Sequence, residues 1–242
     1  MIDVTQKEID IILLVYKRID FFSIQLKSIV NQTCKDNIHL HIISNNPEID
    51  FQSHIEEFKN DLKITFIQKQ NEFKFMERFF YALERKIKYP IFLDDDIELK
   101  PNEIQKLWGQ REPKTFKTFF GRRFDNRPPD NFYWSNPPIN GSLLPQQFNY
   151  GGPGFSIIDG DIFPELTKLY KLHPELHNDI NNCDDIFISW VINTQPDWKI
   201  ECSTQQPTLP LGEDEHASWV KLKQIKNQLT EHLHYITSWK KL

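Results

Sequence analysis

Three consecutive carboxylates, Asp94-Asp95-Asp96, close the short apolar run Ile91-Phe92-Leu93. Like charges this close repel one another. They are tolerated together where water solvates them or where a divalent cation sits among them, and hard cations such as Mg²⁺ and Mn²⁺ prefer oxygen donors. In an extended segment alternate side chains share a face, so Asp94 and Asp96 can converge on one ion while Asp95 points elsewhere. The same triplet also fits an acidic surface turn. A second acidic pair, Asp184-Asp185, follows Cys183 and leads into an apolar run. One acid there suffices as a helix cap, which leaves the other, by preference Asp185, free to face a ligand. Arg18 and Arg78 carry the planar fork that grips two phosphate oxygens at once, although both also fit ordinary surface positions. Asn45 and Asn71 fit caps and turns as well as ligand contacts. Glycine is scarce, at 8 residues, yet Gly151, Gly152 and Gly154 fall within four positions. Side chains there would block a close backbone approach.

These residues need elements to carry them. Residues 9–16 (IDIILLVY) form a near-continuous apolar run suited to a central parallel strand. Asp20 is placed to cap a helix over residues 21–31, where Phe22, Leu26, Ile29 and Val30 recur at helical spacing. Residues 38–44 and 62–68 read as strands around a weaker helix at 50–59. Phe75, Phe79, Leu83 and Ile87 mark a buried helical stripe that runs to Lys88. The alternation β-α-β-α-β-α-β predicts one α/β domain with a mostly parallel central sheet, flanking helices and right-handed crossovers. Its ligand site lies at the carboxyl ends of the strands, where the acidic triplet stands. Further elements are expected as helices at 101–108, 160–170, 186–192 and 217–235, and strands at 115–121 and 198–202. Residues 125–147 are rich in Pro and Asn and carry Trp134. A connection this long is commonly functional, so it is expected to cover or contact a ligand.

The chain has 242 residues, 39% of them apolar and 13% aromatic, enough for a single large core. Its 29 basic residues against 34 acidic ones give a net charge of −5, with no basic stripe, which argues against a nucleic-acid partner. No run long enough to span a membrane and no leader is seen, which leaves peripheral membrane contact open. Three widely spaced cysteines, Cys34, Cys183 and Cys202, fit a reducing, cytoplasmic setting and no structural zinc site.

Five segments in order resemble the GT-A glycosyltransferases that use nucleotide sugars. They are IILLVYKRID with Arg18, Asn71 with Arg78, the Asp94–Asp96 triplet, YGGPGFSII from Tyr150, and Cys183-Asp184-Asp185-Ile186. The order and spacing are most similar to the C-terminal transferase domain of the exostosins, and also to fringe-like and family-2-like transferases. The resemblance implies a single GT-A (Rossmann-like) domain over residues 1–242, with a nucleotide-binding half to about residue 99 and an acceptor-binding half after it. It implies a nucleotide diphosphate sugar donor, UDP-linked by expectation, and a saccharide or glycolipid acceptor. Mn²⁺ or Mg²⁺ would be held by Asp94 and Asp96, with His216 as a third ligand. Arg18, Asn45, Asn71, Arg78, Asp94 and Asp95 would contact the nucleotide. Asp184 or Asp185 would orient or deprotonate the acceptor hydroxyl, and Gly151, Gly152 and Trp134 would face the acceptor. Two other classes compete. A haloacid-dehalogenase-type phosphohydrolase would use Asp94 as nucleophile, but that pattern wants Thr or Val where Glu98 stands. A non-catalytic sugar-binding relative would keep the fold without the chemistry.

Overall fold

A computed structural model describes residues 8–124, 139–140, 146–203 and 222–239. The chain begins β1 (Ile9–Val15), α1 (Ile19–Val30), β2 (Ile38–Ser44), α2 (Phe51–Ile55), β3 (Lys63–Gln68), α3 (Glu77–Glu84) and β4 (Ile91–Asp94). It continues α4 (Glu103–Gly109), β5 (Thr115–Arg122), β6 (Ile139–Asn140), β7 (Gln147–Phe148) and β8 (Tyr150–Ile158). It ends α5 (Phe163–Leu172), α6 (His177–Asn182), α7 (Asp184–Thr194), β9 (Lys199–Cys202) and α8 (Lys223–Ile236). The strands make one nine-stranded sheet in the order β3-β2-β1-β4-β8-β5-β9-β7, with β6 on β5.

The expected β-α alternation is present, and β3, β2, β1 and β4 are parallel neighbours. Beyond them the sheet is mixed, because β8 runs antiparallel between β4 and β5. β5 and β9 resume the first direction. Helices cover both faces, which is why β1 reads as an unbroken apolar run. Ile11 and Leu13 face the core under α1, α2 and α4, whereas Ile12 and Leu14 face the core shared with α3, α5 and α7. Both cores draw residues from before and after residue 99, so one sheet joins the two halves of the chain.

Several local expectations shift. Helix α1 starts at Ile19 with Arg18 at its N-cap, and Asp20 lies inside the first turn. The Phe75–Ile87 stripe is broken. A 3₁₀ turn spans Lys74–Met76, α3 follows, and Lys86 ends it at φ 55. The glycine-rich segment, to which the pattern assigns no element, is a strand. The last helix begins at Lys223, and residues 204–221 lie outside the described residues. Cys34, Cys183 and Cys202 are free and buried. Among the described residues no helix is long and apolar enough to cross a membrane.

Candidate active site

Strand β4 delivers Asp94 to the end of the sheet and the chain then turns through Asp95 and Asp96. Gln25, fully buried on α1, fixes that turn by donating to the carbonyls of Asp94 and of Ile97, the latter at 3.3 Å. The turn ends the strict alternation of an extended strand, so Asp95 does not point away alone. Its Oδ1 and the Oδ2 of Asp96 share one nitrogen, Arg18 Nη1, at 2.8 and 3.0 Å. Burial is the main force that pushes the Asp96 carboxyl up to about 7, and the nearby Asp94 charge adds to it while Arg18 opposes it. Burial likewise raises Asp95 against the pull of Arg18.

Arg78, on α3 and only 3% exposed, ties the two acidic motifs together. Its Nη1 donates to Asp94 Oδ1 at 2.9 Å, and its Nε lies 3.3 Å from Asp184 Oδ2. The second contact is a charge pair without hydrogen-bond geometry, so both of those atoms keep an unused bonding direction. Asp184 and Asp185 both lie in the first turn of α7, where the helix dipole favours negative charge. Neither caps the helix, because Cys183 occupies that position. The two differ in their partners. Asp185 Oδ2 accepts from Tyr150 Oη at 2.5 Å and from Lys226 Nζ of α8, and its Oδ1 accepts from the Ile186 amide at 2.9 Å. Asp184 has Arg78 alongside. Burial pushes its carboxyl up to about 7; Arg78 works against that rise, and Asp185 and Asp94 reinforce it.

A cavity of about 700 Å³ is lined by Arg18, Asn45, Asn71, Arg78, Asp94, Asp95, Asp96, Asp184 and Asp185 together. That size suits a small-molecule ligand. Phe75, Phe119 and Phe120 supply apolar wall. Asn45 proves to be a brace as well as a lining residue. Its Nδ2 donates to the Lys74 carbonyl at 2.7 Å, and its Oδ1 is buried without a partner. Asn71 holds a left-handed turn at φ 60 in the same lip. Gly152 lines the cavity, but Gly151 is turned into the core. A Cβ on Gly151 would meet Thr118 Cγ2 at 2.7 Å and Ile200 Cγ2 at 2.9 Å, so tight packing accounts for a glycine there. His216 and Trp134 lie outside the described residues.

Three contributors, Gln25, Lys226 and Tyr150, are not marked by the sequence as site residues. Gln25 lies on α1, where the sequence pattern displays only an apolar stripe. Lys226 belongs to a helix that reads as polar, although Lys226, Leu229 and Leu233 recur at helical spacing and are all buried. Tyr150 and Gly154 sit inside the quoted glycine-rich segment. A Cβ on Gly154 would stand 2.7 Å from Asp94 Oδ2, so this glycine keeps the space beside that carboxylate open. Carboxylate oxygens around space kept clear by Gly154 are a donor set that fits a hard divalent cation.

A mixed sheet covered by helices on both faces, with an acidic cavity at the carboxyl ends of its parallel strands, is the GT-A type of glycosyltransferase architecture. The sequence matches the family model for glycosyl transferase family 2 over residues 10–198, and the chain belongs to that family. It is thereby a glycosyltransferase by descent, which sets aside the phosphohydrolase reading. The match is to family 2 and not to the exostosins in particular. No curated protein matches the chain in sequence. Among solved structures, residues 1–349 of S. aureus TarS are similar with a TM-score of 0.55 at 12% identity, covering 96% of this chain and 72% of that one. The mannosyltransferase PcManGT from Pyrobaculum calidifontis, in complex with GDP-Man and Mn2+, aligns with a TM-score of 0.60 at 11% identity. The alignment covers 99% of this chain and 67% of that one.

Proposed function

We propose that the protein is a metal-dependent transferase that moves a sugar from a nucleotide diphosphate sugar, by preference a UDP-sugar, to a saccharide or glycolipid hydroxyl in a reducing, cytoplasmic setting. One observation carries this reading. Arg78 joins the end of β4 to the start of α7 inside a single cavity, so a donor-side and an acceptor-side carboxylate face one space. Asp94 and Asp96 would hold Mn²⁺ or Mg²⁺, which would stabilise the charge on the departing nucleoside diphosphate. Arg18 and Arg78 orient the phosphates. Arg18 is held by Asp95 and Asp96, so its fork is preorganised.

On the acceptor side the roles divide between neighbours. Asp184 has an oxygen without a hydrogen bond and a carboxyl near 7, where proton transfer to and from a substrate is most effective. It takes the acceptor proton. Asp185, held by Tyr150, Lys226 and a backbone amide, positions the acceptor. A base at Asp184 implies inversion at the anomeric carbon, whereas the exostosin resemblance implies retention; the anomeric proton signal of the product separates them.

The test is turnover of UDP-sugars with and without Mn²⁺, with GDP-sugars included because PcManGT was solved with GDP-Man. Turnover that requires Mn²⁺ and is lost in Asp94→Ala and Asp96→Ala supports the reading. Donor binding without turnover, unchanged in Asp96→Ala, would make the protein a sugar-binding relative. Full activity in excess chelator would remove the metal from the mechanism.

A further inference from the structure

Asp10, His39 and His41 gather at the opposite end of the sheet from the cavity. Asp10 lies near the start of β1, four residues before Leu14, which pairs with Asp94, a separation of about 13 Å along the strand. Asp10 faces His39 in the β1–β2 register. His39 and His41 are two residues apart on one strand and so project from one face. Their ring centroids lie 3.9 Å apart, with the planes tilted by 37°.

Each imidazole turns one nitrogen inward and anchors the other. His41 Nε2 lies 2.9 Å from Asp10 Oδ1, and His39 Nδ1 lies 3.8 Å from the same oxygen. Glu8 Oε1 approaches His39 Nδ1 to 3.7 Å from the solvent side. On the outer side, His39 Nε2 pairs with Thr65 Oγ1 at 2.8 Å and His41 Nδ1 with Tyr81 Oη at 2.9 Å. Tyr81 Oη also accepts from Arg85 Nε at 3.2 Å. Metal-binding histidines characteristically anchor the distal nitrogen in this way, which fixes tautomer and ring orientation.

The spacing also fits. Tetrahedral zinc with nitrogen and oxygen ligands at about 2.0–2.1 Å requires neighbouring donors about 3.3 Å apart. The distances of 2.9, 3.7 and 3.8 Å bracket that value. The Asp10 and His39 side chains are 14% and 13% exposed and Glu8 is 49% exposed, so a cation that displaces the Lys63 ammonium from Glu8 Oε1 can enter from that side.

We propose that Asp10, His39 and His41, with Glu8 as the outer ligand, form a second metal site that binds a borderline transition-metal cation such as Zn²⁺, separate from the donor cavity. Two imidazoles with carboxylates are a donor set for zinc, in contrast to the all-carboxylate set at the end of β4. A cation there would fasten the start of β1, and the residue before it, to β2.

The test is equilibrium dialysis of the metal-stripped full chain against Zn²⁺ in an Asp96→Asn background, which disables the cavity site. One bound zinc is expected, with a rise in melting temperature that Mg²⁺ does not produce. His39→Ala in that background should weaken zinc binding by a hundredfold or more. Thr65→Val, which removes only the anchor, should weaken it by about 10- to 100-fold. If His39→Ala fails to give a native circular dichroism spectrum, the near-isosteric Asp10→Asn takes its place. No zinc bound in the Asp96→Asn protein, or equal binding in the ligand variants, overturns the proposal.

Discussion

Replacing Arg78 by methionine tests whether one guanidinium holds the two acidic motifs together. The side chain is 3% exposed, so methionine fills similar apolar space and removes only the fork. Two carboxylates, Asp94 and Asp184, then lose their shared cation. Removing one partner from a buried ion-pair network costs about 3–5 kcal/mol. For a chain of this length that lowers the melting temperature by roughly 6–20 °C, at about 2–4 °C per kcal/mol. The loss should depend on pH. Asp184 already stands near 7 with Arg78 opposing the effect of burial, and without Arg78 it rises further. A carboxyl whose folded value exceeds its unfolded value of about 3.9 favours the protonated folded state. The part of the destabilisation that comes from Asp184 is therefore absent while that carboxyl is protonated in both proteins, and it grows as pH rises from about 7 through the variant's higher folded value. The gap between Arg78→Met and the parent protein should accordingly widen from pH 5 to pH 9 in thermal unfolding without added cation. In activity assays the acidic limb of kcat/KM should move upward from about 7. A shift of one unit would reduce the deprotonated fraction at pH 7 from about one half to about one tenth. An equal stability gap at pH 5 and pH 9, together with an unmoved limb, would refute the reasoning.

Other outcomes follow from the same cavity. Lys226→Met leaves the buried Asp185 carboxylate with Tyr150 as its remaining side-chain donor and should cost about 3 kcal/mol in chemical denaturation. The double variant with Asp185→Asn should cost at least about 1.5 kcal/mol less than the sum of the two single changes, and simple additivity would show that the pair is uncoupled. Gly154→Ala places a methyl group 2.7 Å from Asp94 Oδ2. It should lower Mn²⁺ affinity in the presence of UDP at least about tenfold while the melting temperature changes little, as read by calorimetric titration. Unchanged Mn²⁺ affinity would remove Asp94 from the cation site.

The local pattern of the chain determined much of this protein. Apolar runs covered on both faces fix β1, β2 and β4 as central strands, and the turn from β4 into the acidic triplet sets the position of the cavity. The resemblance carried by five short segments leads to the same architecture and to the glycosyltransferase class, while the family matched is family 2 rather than the exostosins it most resembles. The direction of β8 was not legible, because the alternation that marks a strand is the same in either direction and the intervening connection is long. Nor was the pairing of charges. Arg18 reaches Asp95 across 77 residues, and Lys226 reaches Asp185 across 41. Sequence supplies the charges of such pairs but not which ones meet, since that depends on how the sheet and helices close around a common space. The same limit applies to glycine. Gly151 and Gly154 look alike in the sequence, yet one is packed against Thr118 and Ile200 while the other keeps the space beside Asp94 open. Only tertiary packing separates the glycine that fills the core from the glycine that shapes the site.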